Sequence, residues 1–348
     1  MTRFLSHLAD SGYSPNTLCA YAYDLRHLVS FLDQRGMTWS EFRPSTALEF
    51  LAYLRRVPSR RPAQRLGLTV ATGEGRLLSA ATVARVLAAT SSFFEWAIAA
   101  EQYAGADNPM QRRVDQALGR VPDRHQPFVG AASRQQPVRR TVRVRLPIRL
   151  PRPMTAEEVD ALLASMTTVR DLAIFLLMLD GGLRPGEVLC LQLEDVAYGR
   201  RRVTVRKRDD HPRGARAKAR RERVVDLHEP RTLDAVSRYV LHERPTEADS
   251  PFVFLVGGSS PRRGEPLSCQ AVVRGFARRL DRLGIRTPDK TPHALRHTHA
   301  TAMWEGGMRE LALQRRLGHA SPESIRIYTR VSDEQVVADY DAALNGRP

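Results

Sequence analysis

The feature that most constrains the fold is a break in composition. From Gln111 to Arg152 the chain carries eleven Arg and no Lys against only Asp115 and Asp123, so eleven minus two leaves a local charge of +9. Pro and Gln are frequent there and periodicity is poor. Such a stretch has too little apolar surface to offset the entropy of ordering it. It divides the 348 residues into two blocks, each long enough to close its own core. The expected organisation is a first domain over 1–110, a basic linker over 111–152 and a second domain over 153–348. The linker reads as a solvated connector, and also as a strap that can lie along DNA phosphates; the two readings are compatible.

The first block reads as helical. Ser14 is placed to cap and Pro15 to occupy the first turn of a helix in which Leu18, Tyr21, Leu25, Leu28, Val29 and Leu32 recur at helical spacing, with Gly36 at its end. Ser45–Arg55 predicts a second helix. Leu78–Ala100 predicts one or two more, with Phe93, Phe94 and Trp96 as core. Residues 56–77, with Arg, Gly and Pro, read as a loop.

The second block mixes helices with a little strand. Thr155 and Glu158 form a capping-box pattern opening Ala156–Ser165. Asp171–Leu179 is an apolar helix stopped by Gly181-Gly182. Arg184-Pro185 opens another, with Pro185 suited to the first helical position. Val203–Arg206 and Arg223–Leu227 read as strands around a basic turn. Arg200–Arg223 holds twelve basic and three acidic residues, again +9. Leu233–His242, Cys269–Leu283, Pro292–Glu305, Arg309–Leu317 and Pro322–Tyr328 predict helices. Asp333–Leu344 is a last amphipathic one. The fold class expected is mainly α with a small β-sheet.

Charge and cysteine usage narrow the function. Lys+Arg is 54 against 38 Asp+Glu, a net +16 that suits nucleic acid. No apolar run is long enough to span a bilayer, and the N-terminus lacks the apolar core of a signal peptide, so a cytoplasmic, DNA-associated protein without a membrane partner is expected. Cys19, Cys190 and Cys269 are odd in number and scattered, which argues against a disulfide framework. Only three basic residues are lysines, Lys207, Lys218 and Lys290. Arg stays protonated and cannot donate a proton at neutral pH, whereas Lys can.

The chemistry concentrates in Thr291–Thr329, which holds His293, Arg296, His319 and Tyr328. A phenol can attack, imidazoles can move protons, and a guanidinium can hold an anion. His293 and Arg296 lie one helical turn apart and share a face. With Thr291 as cap and Pro292 at the first position, they would sit at a helix N-terminus, which favours an anion. Arg184 has the same placement before Pro185, so the two arginines suggest a clamp on one phosphate. A donor of that kind is worth about 2.7–4 kcal/mol in a transition state. Lys218, in the turn of the basic hairpin, could bring an ammonium to a leaving oxygen; Lys207, at the end of the first strand, competes for that role. His319 follows Gly318 in a tight turn. Tyr239 and Tyr340 rival Tyr328, but neither adjoins an imidazole and a glycine turn. His293 and His297, with His299 near, have zinc spacing, yet no Glu follows as in HExxH and Arg296 adds positive charge. No phosphate-binding GxxxxGK[ST] pattern and no paired-carboxylate cluster is present.

Five segments in order resemble the tyrosine recombinase (phage integrase) family: SPNTLCAYAYDLRHLVSFL with SAATVARVLAATSSFFEWA, GGLRPGEVLCLQLEDV, GARAKARRERVVDL, HALRH, and LGHASPESIRIYTRV. The resemblance implies a helical SAM-like core-binding domain followed by an α+β catalytic domain. It implies that Tyr328 attacks the scissile phosphate to form a 3′-phosphotyrosyl link and free a 5′-hydroxyl. Arg184 and Arg296 would hold the non-bridging oxygens, Lys218 would protonate the leaving oxygen, His293 would accept the proton of Tyr328, and His319 would hydrogen-bond the phosphate. Glu187 would orient its neighbours. No cofactor and no metal is expected. The partners implied are a double-stranded recombination site, a homotetramer on two duplexes with a dimer per site, and accessory DNA-bending or recombinase partners. The Asp333–Leu344 helix would dock on a neighbouring protomer. The alternatives are a type IB topoisomerase, which would relax supercoils as a monomer, and a catalytically silent DNA-binding accessory protein. The hairpin and the basic linker are longer than in the most compact members.

Overall fold

The computed structural model describes residues 1–59, 77–105, 107–110, 112–114, 138–140, 142–146, 152–217, 222–318 and 341. Lys218, His319, Tyr328, Tyr340, the helices expected over Pro322–Tyr328 and Asp333–Leu344, and most of the basic linker lie outside the described residues. The chain divides into two compact units, Met1–Ile148 and Arg149–Pro348.

The first unit is helical, with α1 (Thr2–Asp10), α2 (Pro15–Arg35), α3 (Pro44–Leu54) and α4 (Ala80–Ala99). Ser14 caps α2 by accepting the Thr17 N–H at 3.2 Å, Pro15 opens it, and Gly36 ends it at φ +61°. The Leu78–Ala100 stretch forms the single helix α4, capped by Ser79. Phe4, Phe31, Phe42, Phe50, Phe93 and Phe94 are buried together, and Phe42 stacks on Phe94 with ring centroids 5.1 Å apart. Edge-to-face and stacked rings of this kind add to the burial itself. Trp96 packs against this core rather than inside it. Within the stretch expected to be linker, Arg112–Val114 (β1) pairs antiparallel with Val138–Arg140 (β2), and Val142 is buried in the first unit's core.

In the second unit α5 (Ala156–Ala164) carries the capping box read from Thr155 and Glu158. Next come α6 (Val169–Leu179), capped by Thr168, and the short α7 (Pro185–Leu189). Residues Ala173–Leu179 of α6 are all buried, so this helix is the centre of the second core. A three-stranded antiparallel sheet follows, ordered β3 (Val196–Ala197), β4 (Arg202–Val205), β5 (Arg223–Asp226). The sequence signalled β4 and β5; β3 is too short to show a period of two. Its register pairs Val203 with Val225 and Val205 with Arg223. The helices α8 (Pro230–Arg238), α9 (Cys269–Arg282), α10 (His293–Glu305) and α11 (Glu310–Leu317) complete the described part. The helix expected over Leu233–His242 is α8 continued by a wider turn, Tyr239–Glu243. Among the described residues no helix is long and apolar enough to cross a membrane.

Candidate active site

The site is built around a buried carboxylate. Glu187, 1% exposed, lies in α7 and accepts the Arg184 backbone N–H at 2.9 Å, which closes the first turn of that helix. Its Oε1 also accepts from Arg184 Nη1 at 2.8 Å. Arg223, at the start of β5, grips it with two parallel bonds, Nη1 to Oε1 at 3.1 Å and Nη2 to Oε2 at 2.7 Å. Arg296, on α10, brings Nη1 to 3.7 Å from Oε2. Burial pushes the Glu187 carboxyl up, but the hydrogen bonds and charge of Arg223, with the charges of Arg296 and Arg184, outweigh it and hold the pKa at about 2.

The same three guanidinium groups meet the C-terminal end of α11. The Leu317 carbonyl accepts from Arg296 Nη2 at 2.6 Å and from Arg184 Nη1 at 3.4 Å, and the Arg316 carbonyl accepts from Arg223 Nε at 3.0 Å. A helix C-terminus leaves carbonyls without intrahelical partners and favours positive charge. Arg296 Nη1 donates further to the Gly182 carbonyl at 2.5 Å. Glycine is required on both sides of this approach. Gly182 has φ +64°, and a Cβ there would meet His299 Cδ2 at 2.5 Å; at Gly318, φ +63°, it would meet Arg223 Nη1 at 2.8 Å.

Arg184 and Arg296 thus come together, as the phosphate-clamp reading expected, though not by the expected local geometry at α10. There Pro292, not Thr291, is the N-cap, and no side chain caps the helix; the turn is entered through the Ala294 N–H bonding to the Thr291 carbonyl at 2.8 Å. Arg296 is buried at 3% exposure in the helix's first turn, while His293, its first residue, reaches solvent. Desolvation by the protein on its inner side, then the charges of Arg296 and Arg184, lower the His293 pKa, against a smaller opposing effect of Glu187. At neutral pH this imidazole is uncharged and able to accept a proton. A phosphodiester placed between His293 and the two arginines would meet cationic donors and a neutral base.

The third histidine of the segment is committed elsewhere. His299 is buried, and its Nε2 accepts from Arg316 Nε at 3.0 Å. Arg316 also donates to the Asp180 and Asp226 carbonyls, at 3.0 Å and 3.2 Å, so it ties the ends of α6 and β5 to α10. Burial, reinforced by the Arg316 charge, lowers the His299 pKa to about 4; burial and the neighbouring His293 take His297 to about 4 as well. A ring nitrogen that accepts from Arg316 is not offered to zinc, and no cluster of three or more His, Cys, Asp or Glu among the described residues could hold a metal ion.

The hairpin meets α7 directly. A Cβ on Gly186 would lie 2.5 Å from the Arg216 carbonyl, so only glycine lets the returning limb approach the Arg184 helix this closely. Arg208 pairs with Ala217 and anchors the base through Asp195, the Cys190 carbonyl at 3.3 Å and Gln192 Oε1 at 2.9 Å. Ala217, which bridges to Arg208, is the last described residue before Lys218. Lys207 is exposed beside that bridge. Lys290 is tied to Glu158 and to the Ile285 carbonyl at 3.1 Å. Tyr239 is 1% exposed, with its hydroxyl accepting the Leu255 N–H at 2.9 Å and its ring stacked on Phe254, which makes it core. Arg223 is the residue that sequence reasoning missed. Its signal was an Arg opening a Val-rich strand, where a long cation needs a carboxylate partner to be buried.

Comparison with known proteins identifies the family. The model of the phage integrase family matches residues 152–335, and that of the phage integrase N-terminal SAM-like domain matches residues 1–101. Transposase A from transposon Tn554 of Staphylococcus aureus is 29% identical over 343 residues, covering 98% of this chain and 90% of that protein. Tyrosine recombinase XerD of Mycobacterium tuberculosis is 30% identical over 348 residues, covering 94% of this chain and 92% of its own length. Among solved structures, the Tn1549 transposon integrase in complex with transposon right end DNA is similar in fold, with a TM-score of 0.66 at 17% identity over 98% of each chain. A lambda integrase dimer bound to a core site gives a TM-score of 0.59 at 18% identity, over 94% of this chain and 93% of that one. With both domain models in order along the sequence and the arginine pocket closed around Glu187, the chain belongs to the phage integrase family, the tyrosine recombinases.

Proposed function

We propose that this chain cuts and rejoins double-stranded DNA at specific sites through a covalent 3′-phosphotyrosyl intermediate. The observation that carries the reading is the convergence of Arg184 and Arg296 on Glu187 and on the Leu317 carbonyl, with His293 one turn from Arg296. Charge developing on the phosphoryl oxygens in the transition state meets donors already held in place, so little reorganisation is needed. Tyr328 Oη attacks phosphorus and its proton passes to the neutral His293. The bond from phosphorus to the 5′-oxygen breaks, and Lys218 supplies the proton that this oxygen takes up. His319 hydrogen-bonds the phosphate. The new ester conserves the energy of the broken one, so rejoining needs no nucleotide hydrolysis. Glu187 orients the two arginines without touching substrate.

Residues 1–110 form the core DNA-binding domain, 111–152 lie along the duplex as a basic strap, and 153–348 carry the chemistry. Four copies assemble on two duplexes, two per site, with the Asp333–Leu344 helix docking on a neighbour, and accessory DNA-bending proteins assist. The protein works on DNA in the cytoplasm. The test is strand exchange between two labelled fragments, each spanning one flank of its own gene. Recombinant joints support the reading. Relaxation of supercoiled plasmid without joints would replace it with a topoisomerase, and tight binding with neither product would replace it with an accessory protein.

A further inference from the structure

Two arginines suffice to clamp one phosphate, yet three converge on Glu187, and the third makes the best bonds. Arg223 holds both carboxylate oxygens, at 3.1 Å and 2.7 Å, and its side chain is 8% exposed against 1% for Glu187. Arg184 reaches one oxygen with one nitrogen at 2.8 Å and remains 30% exposed, and Arg296 stands off at 3.7 Å. A fork-on-carboxylate pair is the strongest arrangement open to these groups. Arg223 is also fixed from the other side, through Nε to the Arg316 carbonyl at 3.0 Å and through the close approach of Gly318. It is therefore bound on both flanks and largely buried.

We propose that Arg223 is a positioning residue that neutralises Glu187 and so leaves the charges of Arg184 and Arg296 for the scissile phosphate. The inference rests on the recombinase reading above. Glu187 brings one negative charge and the arginines bring three positive ones. With Arg223 engaged in both bonds, the carboxylate is matched and two positive charges face the substrate. Without Arg223, Glu187 is a buried anion whose nearest cations are Arg184 and Arg296, and it competes with the phosphate for them. The carboxylate that orients the clamp would then restrain it.

The test compares wild type, Arg223→Gln and Arg223→Gln/Glu187→Gln on duplex fragments from the flanks of the gene. It reads single-turnover covalent adduct formation at saturating protein, site binding by mobility shift, and thermal melting. Arg223→Gln is expected to slow adduct formation at least tenfold with binding within threefold of wild type. Removing the carboxylate charge as well should regain at least threefold of that loss, which a merely structural role for Arg223 would not give. Wild-type rates in Arg223→Gln, or a double variant no faster than it, overturn the inference. Should Arg223→Gln fail to fold, the double variant decides: folded, bound and cleaving sustains the inference, while unfolded, or folded and bound without cleaving, overturns it. The wild-type lane reports on the recombinase reading separately. No wild-type adduct overturns that reading, whereas a wild-type adduct with an unrescued double variant overturns only the role of Arg223.

Discussion

Replacing Glu187 by Gln removes one charge, keeps the shape, and leaves three guanidinium groups around a neutral amide. The pKa held at about 2 against an ordinary 4.5 gives the size of the effect. A displacement of that size corresponds to about 3 kcal/mol, at about 1.4 kcal/mol per pKa unit. The folded-state value lies below the unfolded one, so this stabilisation is complete above pH 4.5 and is lost as pH falls from 4.5 through 2. An independent route gives the same scale: breaking a buried ion pair by removing one partner costs about 3–5 kcal/mol. Against a typical total of about 5–15 kcal/mol, the change is large. The assay is urea unfolding followed by Trp304 fluorescence, with Trp39 and Trp96 replaced by Phe so that only the second unit is read. At pH 7 the variant should lose about 3 kcal/mol, a midpoint shift of about 1 M or more in urea. At pH 2.5 its difference from wild type should be much smaller. A loss under about 1 kcal/mol at pH 7, or a difference that does not shrink with acid, would refute the argument that the carboxylate is held ionised by its arginines.

Gly182→Ala should cost about 1–3 kcal/mol and most of the cleavage, because the left-handed backbone and the His299 ring both oppose a Cβ; calorimetry and adduct yield check it. The buried His299 should titrate near pH 4 by imidazole NMR. With a folded value below the unfolded 6.5, its contribution to stability is present above pH 6.5 and drains away as pH falls towards 4, and a His299→Gln variant should flatten that part of the stability curve. Lys218→Ala should slow cleavage of ordinary DNA but not of a 5′-bridging phosphorothiolate, whose leaving group needs no proton; rescue of Lys207→Ala instead would move the acid to that residue.

How much of this was legible in the sequence depended on how local each cause is. Ser14 with Pro15, Thr155 with Glu158, and Arg184 with Pro185 carry their helix starts within four residues, and the structure has them. Pro292 was misplaced by one position because a proline there suits either a cap or a first turn, and the choice is made by the Thr291 carbonyl. The bond from Arg223 to Glu187 spans 36 residues, and nothing in the spacing of a chain holding 54 basic residues says which arginine is paired inward. The committed His299 was similarly hidden. A histidine triplet at helical spacing offers metal ligands on paper, and only the position of Arg316 shows that one ring nitrogen already has a donor. The glycines at 182 and 318 read as turns and Gly186 as part of a helix start, but their function is close approach, which needs the partner surface to be seen.

The most direct test of the central claim is a denaturing gel of the purified protein with DNA from the flanks of its gene, comparing wild type with Tyr328→Phe. The account predicts a covalent band in wild type only, on the fragment whose 3′ end lies at the nick, with DNA binding unchanged in the variant. A covalent band that survives Tyr328→Phe would contradict the assignment of the nucleophile. A clean mobility shift with no covalent band in wild type would contradict the chemistry itself.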